Sequence, residues 1–413
     1  MKNVLIISYS FPPLNNIASR RFGEMCEYLT MFGWDPYILT TKSNGPLETI
    51  VEEDKIIRIG EHPQKNSEIK KDDYNKKHSI KSSILNLKRS LGFNSRLLDR
   101  SYIQWNKRVQ KEIDIHILKD IRFDVIIASF GPGSALFIGR YLSKELNIPL
   151  IADFRDLAAL FNERHFNKNL LMKKIDFVLE KKILKSAAAI TTVSNGLKEQ
   201  FDMHYSLPVE VIYNGWEHPT GSIEINNNCD KRYVYYAGRF YPHQLESMYL
   251  LLRELKGKNI KLKIRSLGPE SLNKEIISVA KNIGIEDFIE LLPPAAPEII
   301  VNEAENAFIN IVIEDLDKTI AWKKGTLTGK FLTLLIRKPP IMAIARNDSE
   351  IGEILRETGK GMLCSTSEEV NWFLKNIEKF HLNMDKERIK YYAKQNQAKK
   401  LSEVMNSVVD NVR

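Results

Sequence analysis

Short apolar runs rich in β-branched residues, each followed by a stretch with apolar residues at helical spacing, recur along this chain. That alternation constrains its fold more than any other feature. Asn3 to Tyr9 reads as a buried strand, Phe11 to Ser19 as the loop after it, and Arg20 to Phe32 as an amphipathic helix. The helix carries Phe22, Met25, Cys26 and Leu29 at helical spacing and stops at Gly33. A second strand follows at Pro36 to Thr40. Strand, helix and strand make a βαβ unit, and ligands of such sheets sit at the carboxyl ends of the strands. Further strands are expected at 124–129, 149–152, 187–193 and 209–213, with a turn and helix over 131–142. A polar stretch from Glu217 to Lys231, with Pro219, Gly221 and three consecutive asparagines, reads as an interdomain linker. A second series then opens at 233–237 and continues at 262–266, 289–291, 308–312 and 340–343, closed by helices over 367–379 and 385–408. The expected fold class is α/β, with two domains of the same architecture.

The chain has 413 residues, enough for two domains at roughly 100 to 200 residues each. Its 61 basic and 52 acidic residues leave a formal charge of +9, which suits an anionic small ligand, an anionic membrane surface or nucleic acid. The basic excess is spread along the chain with no aromatic-interleaved module, which argues against nucleic acid. Cys26, Cys229 and Cys364 are far apart and lack CxxC spacing, so neither a disulfide framework nor a zinc site is expected, and a reducing compartment fits best. The apolar run Val4 to Ile7 is too short for a signal peptide or a membrane span.

The most informative stretch runs from Ala307 to Ile344. It reads as strand, polar loop, helix and strand, and the loop closes on Thr326, Thr328, Gly329 and Lys330. Hydroxyls, a glycine and a lysine at a helix start suit an anionic ligand; a capped helix with solvated lysines uses the same residues. Asp153, Arg155 and Asp156 gather just after the strand that is expected to end at Ala152, either as a surface ion-pair group or as groups facing a ligand. The loop 12–18 is well placed at a strand end but has no glycine. His165, His204 and His243 read as polar surface. From Lys70 to Arg100, lysines interleave with Ile84, Leu85, Leu87, Leu91 and Phe93, which suits either a basic amphipathic segment on anionic lipid or a solvated excursion.

The motifs SYSFPP, ADFRD, TTVSNGL, VIYNG, YAGRF and GTLTGKFLTLLIRKPPIM, in that order and spacing, resemble those of family-4 glycosyltransferases of the bacterial surface-polysaccharide type. The resemblance spans nearly the whole chain. It implies a GT-B fold: two Rossmann-like doubly wound domains facing a central cleft, with a C-terminal helix returning to the N-terminal domain. Residues 1–216 would bind the acceptor, 217–231 link, 232–384 bind the nucleotide-sugar and 385–413 pack back. It also implies retaining transfer from a nucleotide-sugar, with a UDP-sugar favoured, to a lipid-linked or saccharide acceptor. No metal and no separate cofactor are expected, and the setting is the cytoplasm or the inner membrane face.

Carried over by position, Gly238 and Arg239 would hold the donor diphosphate with Thr328, Gly329 and Lys330. Asp153, Arg155 and Asp156 would serve the transferred sugar and acceptor, and Asn15, Asn16 and Arg20 the acceptor-side loop. Thr333 stands where relatives carry a carboxylate for the ribose, with Glu314, Asp315 and Asp317 as nearby acids. Asn15-Asn16 replace a Gly-Gly pair, and Tyr241 to Gln244 replace a lysine region. A nucleotide-sugar epimerase on the same fold and a non-catalytic nucleotide-binding subunit are the alternatives.

Overall fold

The computed structural model describes residues 1–62, 90–99, 101–161, 168–217, 233–266, 268–379 and 382–411. The chain divides into two compact units, Met1–Tyr213 with Gln397–Arg413, and Asn214–Asn396. Of the expected linker, 218–231 lies outside the described residues, as do His165, Cys229 and residues 70–89 and 100 of the basic segment that begins at Lys70.

In the first unit, β1 (Lys2–Ile7), β2 (Trp34–Lys42), β3 (Ile56–Glu61), β4 (Val125–Phe130), β5 (Leu150–Phe154), β6 (Ala187–Thr192) and β7 (Val209–Val211) form one sheet in the order β3-β2-β1-β4-β5-β6-β7. Every neighbouring pair is parallel. A parallel sheet is covered on both faces, which is why its strands read as continuous apolar runs. Val4, Ile6, Val125, Ile127 and Ile151 pack with Phe22, Met25 and Leu29 of the helix Ile17–Met31. Ala398, Leu401, Met405 and Val408 of the last helix, Lys394–Asp410, join the same core. Two hydrogen bonds pin that helix: Tyr213 N donates to Gln397 Oε1 at 3.0 Å, and Lys2 Nζ donates to Asn406 Oδ1 at 2.9 Å.

The second unit repeats the pattern. Its sheet runs β10 (Ile289–Leu292), β9 (Lys261–Ser266), β8 (Tyr233–Gly238), β11 (Ile309–Ile313), β12 (Ile341–Ile344), β13 (Gly361–Cys364), again all parallel. Val234, Ile264, Ile311, Leu251, Ile276 and Phe373 fill its core. In both sheets the strand order reverses beside the first strand, between β1 and β4 and between β8 and β11. Such switch points leave a crevice at the carboxyl ends of the strands.

The expected strands are present, and two more appear that the pattern did not suggest. Arg58 and Gly60 interrupt the apolar run of β3, and β13 has four residues that begin with a glycine. The closing helix expected over 385–408 is two helices, Lys386–Tyr391 and Lys394–Asp410. The break occurs because Ala393 forms a parallel bridge with Trp216, and Trp216 N donates to Tyr392 O at 3.0 Å. Backbone that pairs with a neighbouring segment cannot also continue a helical ladder.

Candidate functional site

In the second unit the switch point is built by the ends of β8 and β11. Gly238 closes β8 at φ +135, a conformation that L side chains rarely adopt, and a Cβ there would overlap Nζ and Cε of Lys330. Lys330 comes from the short helix Gly329–Leu334, which Phe331 and Leu332 anchor in the interior. Its ammonium lies 4.9 Å from the centroid of the Tyr236 ring, and the Tyr236 hydroxyl donates to Arg239 O at 2.9 Å. Arg239 is exposed, with its guanidinium 5.5 Å from the Tyr241 ring centroid, and Tyr241 stacks on His243. One ordered and one solvent-facing cation therefore stand together at the end of β8.

Glu314 follows β11 directly and is only 6 % exposed. Gln244 Nε2 donates to Ile313 O at 2.8 Å and reaches Glu314 Oε2 at 3.5 Å. Glu314 Oε1 is buried without a hydrogen-bond partner. Burial pushes the Glu314 carboxyl up to about 8, which the nearby charge of Lys330 only partly opposes. Burial pushes Lys330 down to about 8 while Glu314 pulls it back. Asp315 is engaged with Lys323 at 2.8 Å.

Of the other residues expected at the donor, Thr328 occupies the N-cap with an extended backbone, and its side chain makes no capping hydrogen bond. Gly329 has open space where a Cβ would stand. The Thr333 hydroxyl donates to Lys330 O at 2.7 Å, so it is bound within its own helix.

In the first unit, Asp153 requires a correction. The strand runs on to Phe154, so Asp153 lies inside β5 and is fully buried, not in a loop beyond it. Its carboxylate accepts from Arg21 Nη2 at 2.7 Å and Nε at 3.1 Å, from Ser129 Oγ at 2.8 Å and from Thr191 Oγ1 at 2.9 Å. Four donors fill the accepting capacity of a carboxylate, which leaves it no site for a substrate proton. Arg21 also donates to Ile212 O at 3.0 Å, tying the helix Ile17–Met31 to the far side of the sheet. Sequence reasoning missed Arg21, although an arginine on the same helical face as Met25 was a signal that a buried carboxylate must face it.

Arg155 and Asp156 do lie past the strand. Arg155 Nη2 donates to Phe130 O at 3.1 Å and Gly131 O at 3.3 Å, and a Cβ at Gly131, where φ is +118, would strike that guanidinium. Burial lowers the pKa of Arg155, with Arg21 and Arg96 adding to the shift and Asp153 and Asp156 opposing it. Asp156 is exposed and pairs with Arg96 Nη2 at 3.1 Å. At the loop after β1, Asn16 caps the first helix by accepting from Ser19 N at 2.8 Å, and Arg20 Nε donates to Asn15 Oδ1 at 3.1 Å. Asn16 thus has a structural task that a glycine could not perform. Among the described residues, no group of three or more His, Cys, Asp or Glu is placed to hold a metal ion.

Residues 18–218 match the family model described as Glycosyltransferase Family 4. No curated protein matches the chain in sequence. Among solved structures, the chain is similar over 100% of both lengths to a sucrose-phosphate synthase from Thermosynechococcus elongatus, with a TM-score of 0.65 at 11% identity. It is similar to HepE of Anabaena, solved with UDP and glucose, over 98% of this chain and all of that one, with a TM-score of 0.63 at 12% identity. A lipopolysaccharide outer core galactosyltransferase, WaaB, aligns over 98% of this chain and 99% of that one, with a TM-score of 0.57 at 12% identity. At such identities the likeness is one of fold, and that fold is the two-domain GT-B architecture.

Residues 18–218 thus resemble family-4 glycosyltransferases, and the chain as a whole shares the GT-B fold. Within it, this chain is marked by Thr333 bonded back to its own helix, and by a buried acid, Glu314, beside the lysine that crosses Gly238.

Proposed function

We propose that the protein transfers a sugar, with retention of configuration, from a nucleotide-sugar to a lipid-linked or saccharide acceptor in cell-surface polysaccharide assembly. The observation that carries this reading is Lys330 lying across Gly238, next to Arg239, at the switch point of the second sheet. Cleaving a sugar from a nucleoside diphosphate develops negative charge on the leaving phosphate. Cations fixed there stabilise the transition state more than the ground state. Arg239 offers a planar, two-pronged donor for phosphate oxygens, and Lys330 a point charge held by the fold. These two cations can meet the leaving charge without a metal or a further cofactor.

The second unit is assigned the donor and the first the acceptor, with Arg155, Asp156, Asn15 and Arg20 on the acceptor side. Asp153 is assigned to holding the first unit together, because its acceptors are all engaged. A UDP-sugar is the favoured donor, supported by the UDP and UDP-glucose complexes of HepE. The surface-polysaccharide setting draws support from the likeness to WaaB. No helix among the described residues is long and apolar enough to cross a membrane, and the assigned place is the cytoplasm or the inner membrane face.

The test follows release of nucleoside diphosphate from UDP-, GDP- and dTDP-sugars with and without lipid-linked and free saccharides. Transfer requires release that rises when an acceptor is supplied. Conversion of the donor at an undiminished rate without any acceptor would favour an epimerase instead.

A further inference from the structure

Glu314 is a buried acid that the fold leaves incompletely paired. An acid is almost never buried to this degree unless it is paired, yet Oε1 of Glu314 makes no hydrogen bond. Its backbone is pinned on both sides: Glu314 N donates to Ile344 O at 2.9 Å, and Ser247 Oγ donates to Glu314 O. β11 pairs with β8 with Ile309 opposite Val234 and Asn310 opposite Tyr235, a register that carries Glu314 to the level of the end of β8, and Glu314 and Lys330 feel each other's charge. A buried polar atom without a partner is costly, and such atoms persist where a ligand completes them.

We propose that Glu314 is a donor-binding residue whose Oε1 hydrogen-bonds a hydroxyl of the bound nucleotide-sugar. The proposal rests on the nucleotide-sugar reading of this site and deepens it. A hydroxyl is the matching chemistry because it donates as well as accepts, so it satisfies the carboxyl in either protonation state. A phosphate oxygen is the poorer match, since an ionised carboxyl would repel it, and Lys330 and Arg239 already answer that charge. Thr333 does not supply this contact, its hydroxyl being bound to Lys330 O. The hydroxyl comes from the ribose or from the transferred sugar, and the two sources separate experimentally.

The experiment is calorimetric titration of the full chain with UDP, 2′-deoxy-UDP, UDP-glucose and inorganic pyrophosphate, for the wild type, Glu314→Leu and Glu314→Gln. The leucine variant removes the hydrogen bond while keeping an apolar fit. It is expected to bind UDP-glucose about tenfold or more weakly, with pyrophosphate binding unchanged. The glutamine variant, which keeps an acceptor oxygen beside an amide NH2 donor, is expected to recover most of the loss. A ribose contact shows as the same loss with UDP and as insensitivity of the leucine variant to the missing 2′-hydroxyl. A sugar contact shows with UDP-glucose alone. Equal affinity of wild type and Glu314→Leu for all four probes, or a loss shared by pyrophosphate, overturns the assignment and leaves the donor site standing. GDP- and dTDP-sugars are titrated alongside, and failure of the wild type to bind any of the UDP, GDP or dTDP compounds overturns both.

Discussion

Lys330 and Arg239 differ in how firmly the fold holds them, and the difference predicts how they fail. Lys330 lies against Gly238 and the Tyr236 ring, whereas Arg239 is exposed and its guanidinium lies near the Tyr241 ring. Replacing either by alanine removes a charge-assisted contact worth about 1.5 to 3 kcal/mol of donor affinity, with the fold intact by thermal unfolding. The two cations separate by pH. Burial places both Lys330 and Glu314 near 8, so rising pH through about 8 discharges the lysine and ionises the acid. Both changes oppose an anionic ligand, so diphosphate affinity should fall across that pH, and the Lys330→Ala protein should show a smaller fall. For stability the sign is fixed by the direction of the Glu314 shift. Its folded pKa is raised, so its favourable contribution is complete below its unfolded value of 4.5 and is lost as pH rises through about 8. Asp153 belongs to a different category. Asp153→Asn leaves Arg21 buried without a counter-charge and should destabilise the first unit by about 3 to 5 kcal/mol in urea unfolding. Normal stability with abolished transfer would return Asp153 to the chemistry.

At the scale of elements, the helix Gly329–Leu334 has six residues, far fewer than an isolated helix needs, so its position is set by Phe331 and Leu332 beneath it. Gly238→Ala should therefore act on the lysine and not on the helix. The added methyl occupies the path of Lys330 and strains a backbone at φ +135, so donor binding should fall at least as far as in Lys330→Ala while the chain stays folded. Most strands were legible in the sequence because burial on both faces gives each an uninterrupted apolar run. The strands that were not legible, β3 and β13, are edge strands carrying a charge or a glycine where the pattern needed an apolar residue. The break at Ala393 was invisible because its cause, Trp216, lies far away along the chain. The same limit governed the site. Gly238, Arg239 and Lys330 stand in local motifs and could be singled out from them, while the contacts of Asp153 and Glu314 involve Arg21 and Gln244, partners that only the fold brings near.

At the scale of the molecule, the last helix completes the core of the first unit. Ala398, Leu401, Met405 and Val408 are buried there, at about 1.5 to 3 kcal/mol for each large side chain. Removing residues 397–411 should abolish cooperative unfolding of the first unit, a change that circular dichroism and limited proteolysis would detect. Retained cooperativity would show that the sheet does not need the helix. The formal charge of +9 bears on the proposed membrane setting. The full chain should float with anionic vesicles at low salt and be released by salt, because screening shortens the reach of surface charges. Equal recovery with neutral vesicles would count against that setting. The central claim is that Arg239 and Lys330 hold the diphosphate of a nucleotide-sugar. Titrating the wild type, Arg239→Ala and Lys330→Ala with UDP-, GDP- and dTDP-sugars tests it most directly. Saturable binding of one nucleotide series by the wild type, weakened about tenfold or more in both variants, is the predicted result; unchanged affinity in both folded variants, or no binding of any series by the wild type, would contradict it.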